Sequence, residues 1–166
     1  ATESKDIAFI VLLAGPGMVG EKIIYEQGKL INKTAGLTDD QIQQNQKMQQ
    51  DIFNISGDIS LPDGKSKLLK EERIFFLENQ ITVMSKNLPP LKEFILPGGS
   101  EFNARLHILR TTARNTERCL VSMQEDKGRN ILHLKYLNRL SDYLFLLARA
   151  VGLSENLEEE HWELNK

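Results

Sequence analysis

The sequence is poor in the residues that define several common protein classes. Its 166 residues include one cysteine, five prolines and 7% aromatic residues, and 21 basic against 23 acidic residues leave a net charge of −2. The lone Cys119 cannot form an internal disulfide and fits a reducing cytoplasm, where we expect the protein to be located. Sparse aromatic residues argue against a β-sandwich, and the near-neutral charge argues against nucleic acid as a partner.

Long apolar runs and several catalytic motifs are also missing. The longest apolar run, Ile7–Ala14, falls far short of the about 20 residues that span a bilayer, so we expect no membrane span. The sequence has no HExxH motif and no cysteine–histidine cluster, which argues against a zinc site. It also lacks the G-x-S-x-G elbow of serine hydrolases. A chain of this length can bury a sufficient core without a metal or disulfide, and we expect one soluble, all-α domain.

Apolar periodicity predicts the secondary structure. The β-branched run Ile7–Leu13 predicts a short N-terminal strand or extended segment. Helical spacing predicts five helices after it, at about 21–35, 38–57, 69–87 and 100–128, and a fifth that ends at Gly152. We expect Pro89 and Pro90 to end the third helix and Ser100 to be the N-cap of the fourth. The last three share a seven-residue apolar step, which is typical of a left-handed helical bundle. We expect the acidic tail, residues 153–166, to be frayed.

The fourth predicted helix carries a row of charged residues beside its apolar face. Arg110, Arg114 and Glu117 occur at i, i+4 and i+7, with Arg118 one step around the helix. Planar guanidinium groups suit bidentate binding of phosphate oxygens. The alternative is a solvated or interhelical salt-bridge row, which is common on helices.

Two other patterns have a possible link to phosphate. Asn138 and Asp142 stand one helical turn apart with Arg139 between them, so they could position a phosphate–Mg²⁺ unit or form an ordinary polar pair. Residues 15–20 satisfy G-x-G-x-x-G after a predicted strand. A dinucleotide fold also needs a second parallel strand that carries an acid, and no such strand is predicted.

Three motifs in the second part of the chain carry a family resemblance. They are the loop Phe94-Ile95-Leu96-Pro97-Gly98-Gly99-Ser100, the arginine row with its preceding Ala104-x-Leu106-His107, and Tyr136-Leu137-Asn138-Arg139-Leu140-Ser141-Asp142. In this order they resemble the ATP:corrinoid adenosyltransferases of the propanediol-utilisation type, over about residues 48–152. The resemblance implies a five-helix bundle, a homotrimer with sites between subunits, and transfer of the 5′-deoxyadenosyl group of ATP to a reduced corrinoid, cobalamin, with Mg²⁺.

The resemblance also implies roles for individual residues. Arg114 and Asn138 correspond to residues that hold the triphosphate, and Glu117 to one that organises the phosphate–metal region. Arg110 corresponds to an arginine that pairs with an acid on a neighbouring subunit's first helix, and Phe94 to the side chain that faces the corrin. The remaining motif residues correspond to supporting positions: Arg118, Arg139 and Asp142. Asn115 stands where the family often has a second arginine.

The first part of the chain departs from this pattern. It lacks the family's Thr-Gly-Asp-Lys-Gly phosphate loop, and residues 5–50 resemble an α/β-hydrolase fragment without its nucleophile. We therefore interpret residues 1–47 as a foreign segment of a chimera. Two interpretations remain beside an active transferase: a bundle that keeps the fold but is catalytically impaired without the loop, and a nucleotide- or corrinoid-binding module without turnover.

Overall fold

A computed structural model describes residues 39–60, 68–123 and 131–162, and within these ranges the regular structure is helical. It contains four helices: α1 (Asp39–Ser60), α2 (Glu72–Asn87), α3 (Glu101–Met123) and α4 (Ile131–Ser154). The all-α prediction is confirmed for this part. The predicted strand at residues 7–13, the G-x-G-x-x-G turn and the predicted helix at 21–35 lie outside it. The chain divides into two compact units, residues 1–69 and 70–166.

In the first unit, α1 is longer than its sequence predicts because it continues through Gly57. A Cβ at Gly57 would lie 2.9 Å from Leu68 Cδ1, so the missing side chain leaves room for Leu68. The buried Asp58 carboxylate then accepts hydrogen bonds from the amides of Leu68 at 2.9 Å and Leu69 at 3.3 Å. Leu68 and Leu69 lie outside any helix, so these bonds supply the partners that their backbone amides need.

In the second unit, α2 ends where the sequence predicts. Leu88 follows the helix with an extended ψ of 148°, as expected for a residue that precedes proline. Ile74 and Leu77 are buried on one side of the helix. The start differs from the predicted Leu69, since the first helical residue is Glu72.

Helices α3 and α4 pack against each other, and α2 packs against α4. From α3, Leu106, Ala113 and Leu120 are buried at the predicted seven-residue step. Leu137 and Leu140 of α4 are buried, as the predicted apolar step requires. Further along this helix Tyr143 and Ala148 are buried, whereas Leu144 and Leu147, which continue that step, are only half-buried. The buried face of α3 thus includes these residues of the predicted seven-residue step, whereas the buried face of α4 shifts to neighbouring positions after Leu140.

The start of α3 and the chain after α4 complete the second unit. Ser100 is the predicted N-cap, and its Oγ accepts a hydrogen bond from the Asn103 amide at 3.1 Å. The prediction of a frayed tail is wrong as far as Trp162, because the tail pairs with the loop before α3 through an antiparallel bridge between Ile95 and His161. Backbone hydrogen bonds offset the entropy of ordering such a segment. None of the helices within the described ranges combines the length and hydropathy of a membrane span.

Candidate functional site

Two members of the charged row on α3, Arg114 and Glu117, form an ion pair. The guanidinium of Arg114 bonds to the Glu117 carboxylate through Nη1. The Arg114 side chain is 45% exposed and the Glu117 side chain only 16%. The carboxylate is therefore the fixed member of the pair, and the guanidinium projects from it into solvent.

Glu117 also connects α3 to α4. Its second carboxylate oxygen accepts a hydrogen bond from Asn138 Nδ2 at 3.3 Å. The Asn138 amide oxygen in turn accepts one from Arg139 Nη2 at 2.8 Å, and Arg139 Nη2 lies 2.9 Å from Asp142 Oδ2. We call these five residues, Arg114, Glu117, Asn138, Arg139 and Asp142, the polar network. Its two ion pairs, Arg114–Glu117 and Arg139–Asp142, each lie within one helix, and the contact between the helices is the Glu117–Asn138 hydrogen bond. The exposure of Arg114 leaves phosphate binding compatible with this network.

The polar network borders a groove of about 510 Å³ between α2 and α3, with α4 as its floor. Glu117, Asn138 and Arg139 line one part of it. The remaining lining comes from α2, its preceding residue and α4: Glu71, Ile74, Phe75, Glu78, Leu134 and Lys135. Six of the nine lining residues are polar or charged and three are apolar, so the groove offers mainly polar contacts to a ligand.

Sequence reasoning missed the groove residues Phe75 and Lys135. Lys135 stands three residues before Asn138 and seven before Asp142, so helical spacing alone places it on the face of the network. Phe75 is 58% exposed beside the buried Ile74. Its role in the groove depends on how α2 packs on α4, and no local pattern signals that.

Arg110 lies outside the polar network. Its Nε donates to His107 Nδ1 at 3.4 Å. Burial, and to a smaller degree the charge of Arg110, lowers the pKa of His107 below its usual value of 6.5. His107 is therefore neutral at pH 7 and able to accept this hydrogen bond. Its ring also meets Phe145 edge-on, with centroids 6.4 Å apart.

The two other predicted site residues are also apart from the network. Arg118 donates through Nη2 to Asn115 Oδ1 at 3.2 Å, on the exposed surface of α3. Phe94 lies in the loop before α3, and its ring is 78% exposed. Burying such a ring against an apolar ligand would be favourable, since large exposed apolar side chains are a common feature of binding surfaces.

Comparisons with known proteins find relatives of this chain in one family. A sequence model of the cobalamin adenosyltransferase family matches residues 27–151. The chain is 38% identical over 117 residues to the corrinoid adenosyltransferase of Bacillus subtilis, covering 70% of this chain and 61% of that protein. It is 43% identical over 89 residues to the corrinoid adenosyltransferase PduO of Citrobacter freundii, covering 54% and 27%. The chain thus spans about three fifths or less of these two relatives.

Solved structures share the fold. A PduO-type ATP:corrinoid adenosyltransferase variant of Lactobacillus reuteri complexed with ATP aligns with 96% of this chain and 87% of its own, at a TM-score of 0.68 and 26% identity. A second variant, complexed with cobalamin and ATP, aligns with 98% and 85% at a TM-score of 0.68 and 25% identity. Because the family match begins at residue 27, the predicted boundary at residue 48 is wrong. No comparison supports an α/β-hydrolase origin for residues 5–50.

Proposed function

Because the chain belongs to the cobalamin adenosyltransferase family, we propose that it transfers the 5′-deoxyadenosyl group of ATP to the cobalt of a reduced corrinoid. The electron pair of Co(I) forms the cobalt–carbon bond to C5′, the C5′–O bond breaks, and that electron pair leaves with the triphosphate. The cobalamin and ATP bound by the Lactobacillus reuteri relative support this choice of substrates. The corrinoid and ATP are both substrates here.

The observation that carries the proposal is the hydrogen-bonded connection from Arg114 through Glu117 to Asn138 across α3 and α4. Glu117 fixes the orientation of the guanidinium before a ligand binds, and preorganisation reduces the entropic cost of binding. The pair occupies Nη1, so the Nε and Nη2 groups of Arg114 remain able to donate to triphosphate oxygens. Asn138 adds an amide at the same site, and Arg139 and Asp142 hold that amide in place.

Negative charge develops on the triphosphate during this reaction, and the site must stabilise it. The C5′–O bond breaks toward the phosphate, so negative charge grows on the leaving group in the transition state. A fixed guanidinium beside it stabilises that charge more than it stabilises bound ATP. Arg114 is therefore the residue that we expect to affect turnover as well as affinity.

Mg²⁺ fits this site as a companion of ATP. Within the described residues there is no group of three or more acidic, histidine or cysteine side chains able to cage a metal. Mg²⁺ is usually held by one or two carboxylates together with substrate phosphates and water. Glu117 lies beside Arg114 in the polar network and would contribute a carboxylate, and Mg²⁺ would neutralise phosphate charge there.

The remaining assignments concern the corrinoid and the assembly. The exposed ring of Phe94 would face the corrin, where an apolar wall disfavours a lower axial ligand and makes cobalt easier to reduce. We further propose a cytoplasmic homotrimer in which Arg110 pairs with an acid from a neighbouring subunit. Arg110 is half-buried and already oriented by His107, which would limit the entropy lost on pairing.

Calorimetry with MgATP, followed by a spectral assay with cob(I)alamin, tests the proposed function. Saturable ATP binding together with formation of the cobalt–carbon bond is the expected result. Binding without turnover would identify a module that only binds nucleotide. Absence of both would leave the interpretation of a bundle that keeps the fold without catalysis.

A further inference from the structure

The segment after α4 is fastened to the loop that carries Phe94. Residues 155–162, which we call the tail strap, run antiparallel to that loop around the Ile95–His161 bridge. The Leu96 amide donates to the Glu160 carbonyl at 2.7 Å, and the Trp162 amide donates to the Phe94 carbonyl at 2.8 Å. The backbone of Phe94 is thus held directly by the strap, while its ring remains 78% exposed.

A buried arginine anchors the strap. The side chain of Arg149 on α4 is 4% exposed, and its Nε lies 2.6 Å from Glu159 Oε1. Its Nη2 donates to Glu159 Oε2 at 3.2 Å and to the Pro89 carbonyl at 2.9 Å. One guanidinium therefore ties together α4, the strap and the start of the Phe94 loop. A bidentate arginine–carboxylate pair also fixes direction as well as distance.

The far end of the same loop has two further contacts with the strap. Ser100 Oγ donates to Glu155 Oε2 at 2.6 Å. Gly99, at a φ of +93°, is packed so closely on Leu157 that a Cβ would lie 3.0 Å from its Cδ1. The strap therefore contacts the centre and the far end of the loop directly, and it is linked to the near end through Arg149, so the loop position depends on the strap.

We propose that Arg149 and Glu159 are positioning residues that set the place of the Phe94 ring against the corrin through the tail strap. This inference rests on the proposed function. Neither residue is in the polar network or lines its groove, so neither acts on the triphosphate. Their influence on catalysis passes through the backbone of residues 94–96, since a small displacement of a residue that shapes a reacting centre can cost a large factor in rate.

The first test compares Glu159→Ala with Glu158→Ala. Both variants remove one carboxylate from the strap, but Glu158 is exposed and Glu159 is the partner of Arg149. The readouts are the EPR spectrum of bound cob(II)alamin, which reports a lower axial ligand, together with kcat and the Kd for ATP. For Glu159→Ala we expect more axially ligated cobalt and a kcat about tenfold lower. Glu158→Ala should match the unsubstituted protein.

The Kd for ATP separates positioning from general damage. Sites without shared partners behave independently to within about a factor of two, so Glu159→Ala should leave this Kd within that range. A large loss of ATP affinity in the folded variant, or an EPR spectrum identical to that of the unsubstituted protein, would overturn the inference. Failure of the unsubstituted protein to bind ATP or alter cob(II)alamin would instead refute the proposed function.

A second pair of variants avoids the buried charge and keeps the proposal testable where Glu159→Ala does not fold. Trp162→Pro removes the amide that donates to the Phe94 carbonyl, whereas Trp162→Ala removes the side chain and keeps the amide. We expect the axially ligated fraction to rise further in Trp162→Pro than in Trp162→Ala. Equal spectra for the two variants would show that the strap does not position Phe94.

Discussion

The polar network and the tail strap each centre on an arginine paired with a glutamate, but the two arginines lie in opposite environments. Arg114 is 45% exposed, whereas Arg149 is 4% exposed. The buried guanidinium has its donors directed at Glu159 and the Pro89 carbonyl. The exposed one keeps donors toward solvent. The same residue pair is therefore suited to holding structure in one place and to meeting a ligand in the other.

The largest effect that separates the two pairs is on stability. Glu159→Ala leaves a buried guanidinium without its carboxylate, and breaking such a pair costs about 3 kcal/mol or more. Urea unfolding followed by circular dichroism measures this loss, with Glu101→Ala as control because Glu101 pairs with Arg105 on the surface. Equal stability of the two variants would contradict the distinction between buried and exposed pairs.

The second largest effect is on ATP affinity, and it concerns the exposed guanidinium of Arg114 rather than the buried one. Arg114→Ala should weaken ATP binding by about 2–3 kcal/mol, or roughly 30- to 150-fold, since hydrogen bonds to charged groups contribute strongly. Its free energy of unfolding should change by about 1 kcal/mol or less, because an ion pair whose guanidinium is exposed to solvent contributes little. Arg105→Ala removes a guanidinium from a similar pair on the same helix and should bind ATP normally. Calorimetry that finds equal Kd values for both variants would argue against Arg114 as the triphosphate ligand.

A smaller effect tests how tightly the strap fits the Phe94 loop. Gly99→Ala combines a left-handed φ of +93° with a near contact to Leu157, whereas Gly98 has nothing within 4 Å of its Cβ position. We expect Gly99→Ala to cost about 1–2 kcal/mol. Gly98→Ala, with only backbone strain, should cost less. Thermal unfolding of both variants measures the difference, and a larger loss for Gly98→Ala would show that Leu157 is not a constraint.

The smallest expected effect is pH dependence through His107. Its lowered pKa means that the folded state resists protonation, so this contribution is fully present above the unfolded value of 6.5 and is lost as pH falls below it toward the folded pKa. NMR titration of the imidazole should give a value below 6.5. Arg110→Met should raise that pKa without restoring 6.5, because burial is the larger cause. A pKa at or above 6.5 in the unsubstituted protein would contradict this assignment.

Local sequence patterns predicted those features that depend on helical geometry and chain stiffness. The stop before Pro89, the Ser100 cap and the buried Leu106–Ala113–Leu120 register of α3 are all present. The ends that failed, at Gly57 and Gly152, carry glycines inside helices. A glycine does not end a helix where tertiary packing favours the helical conformation. Both of these glycines allow a close contact that a side chain would obstruct, Gly57 with Leu68 and Gly152 with Asn103.

In the candidate site, too, the sequence predicted the contacts within a helix but not the contact between helices. The spacing of Arg114 and Glu117 placed them on one face of α3, and Asn138 and Asp142 on one face of α4, because a 3.6-residue period fixes which side chains are neighbours along a helix. The hydrogen bond between Glu117 and Asn138 joins positions 21 residues apart. This bond forms only when α3 and α4 are each rotated about their axes so that the two side chains meet. The seven-residue apolar steps of the two helices are compatible with more than one such rotation, so the sequence does not select it.

The sequence alone determined the approximate position of each described helix, the apolar face of α3 and the order of motifs that indicated the family, since these depend on residues within a few turns of one another. Tertiary structure alone decided that Arg149 is buried against Glu159, that residues 155–162 pair with the Phe94 loop and that the backbone of Phe94 is held by this pairing. A tail rich in glutamate has too little apolar surface to order itself. It becomes ordered when packing supplies a buried cation and an unpaired loop backbone for it to bind.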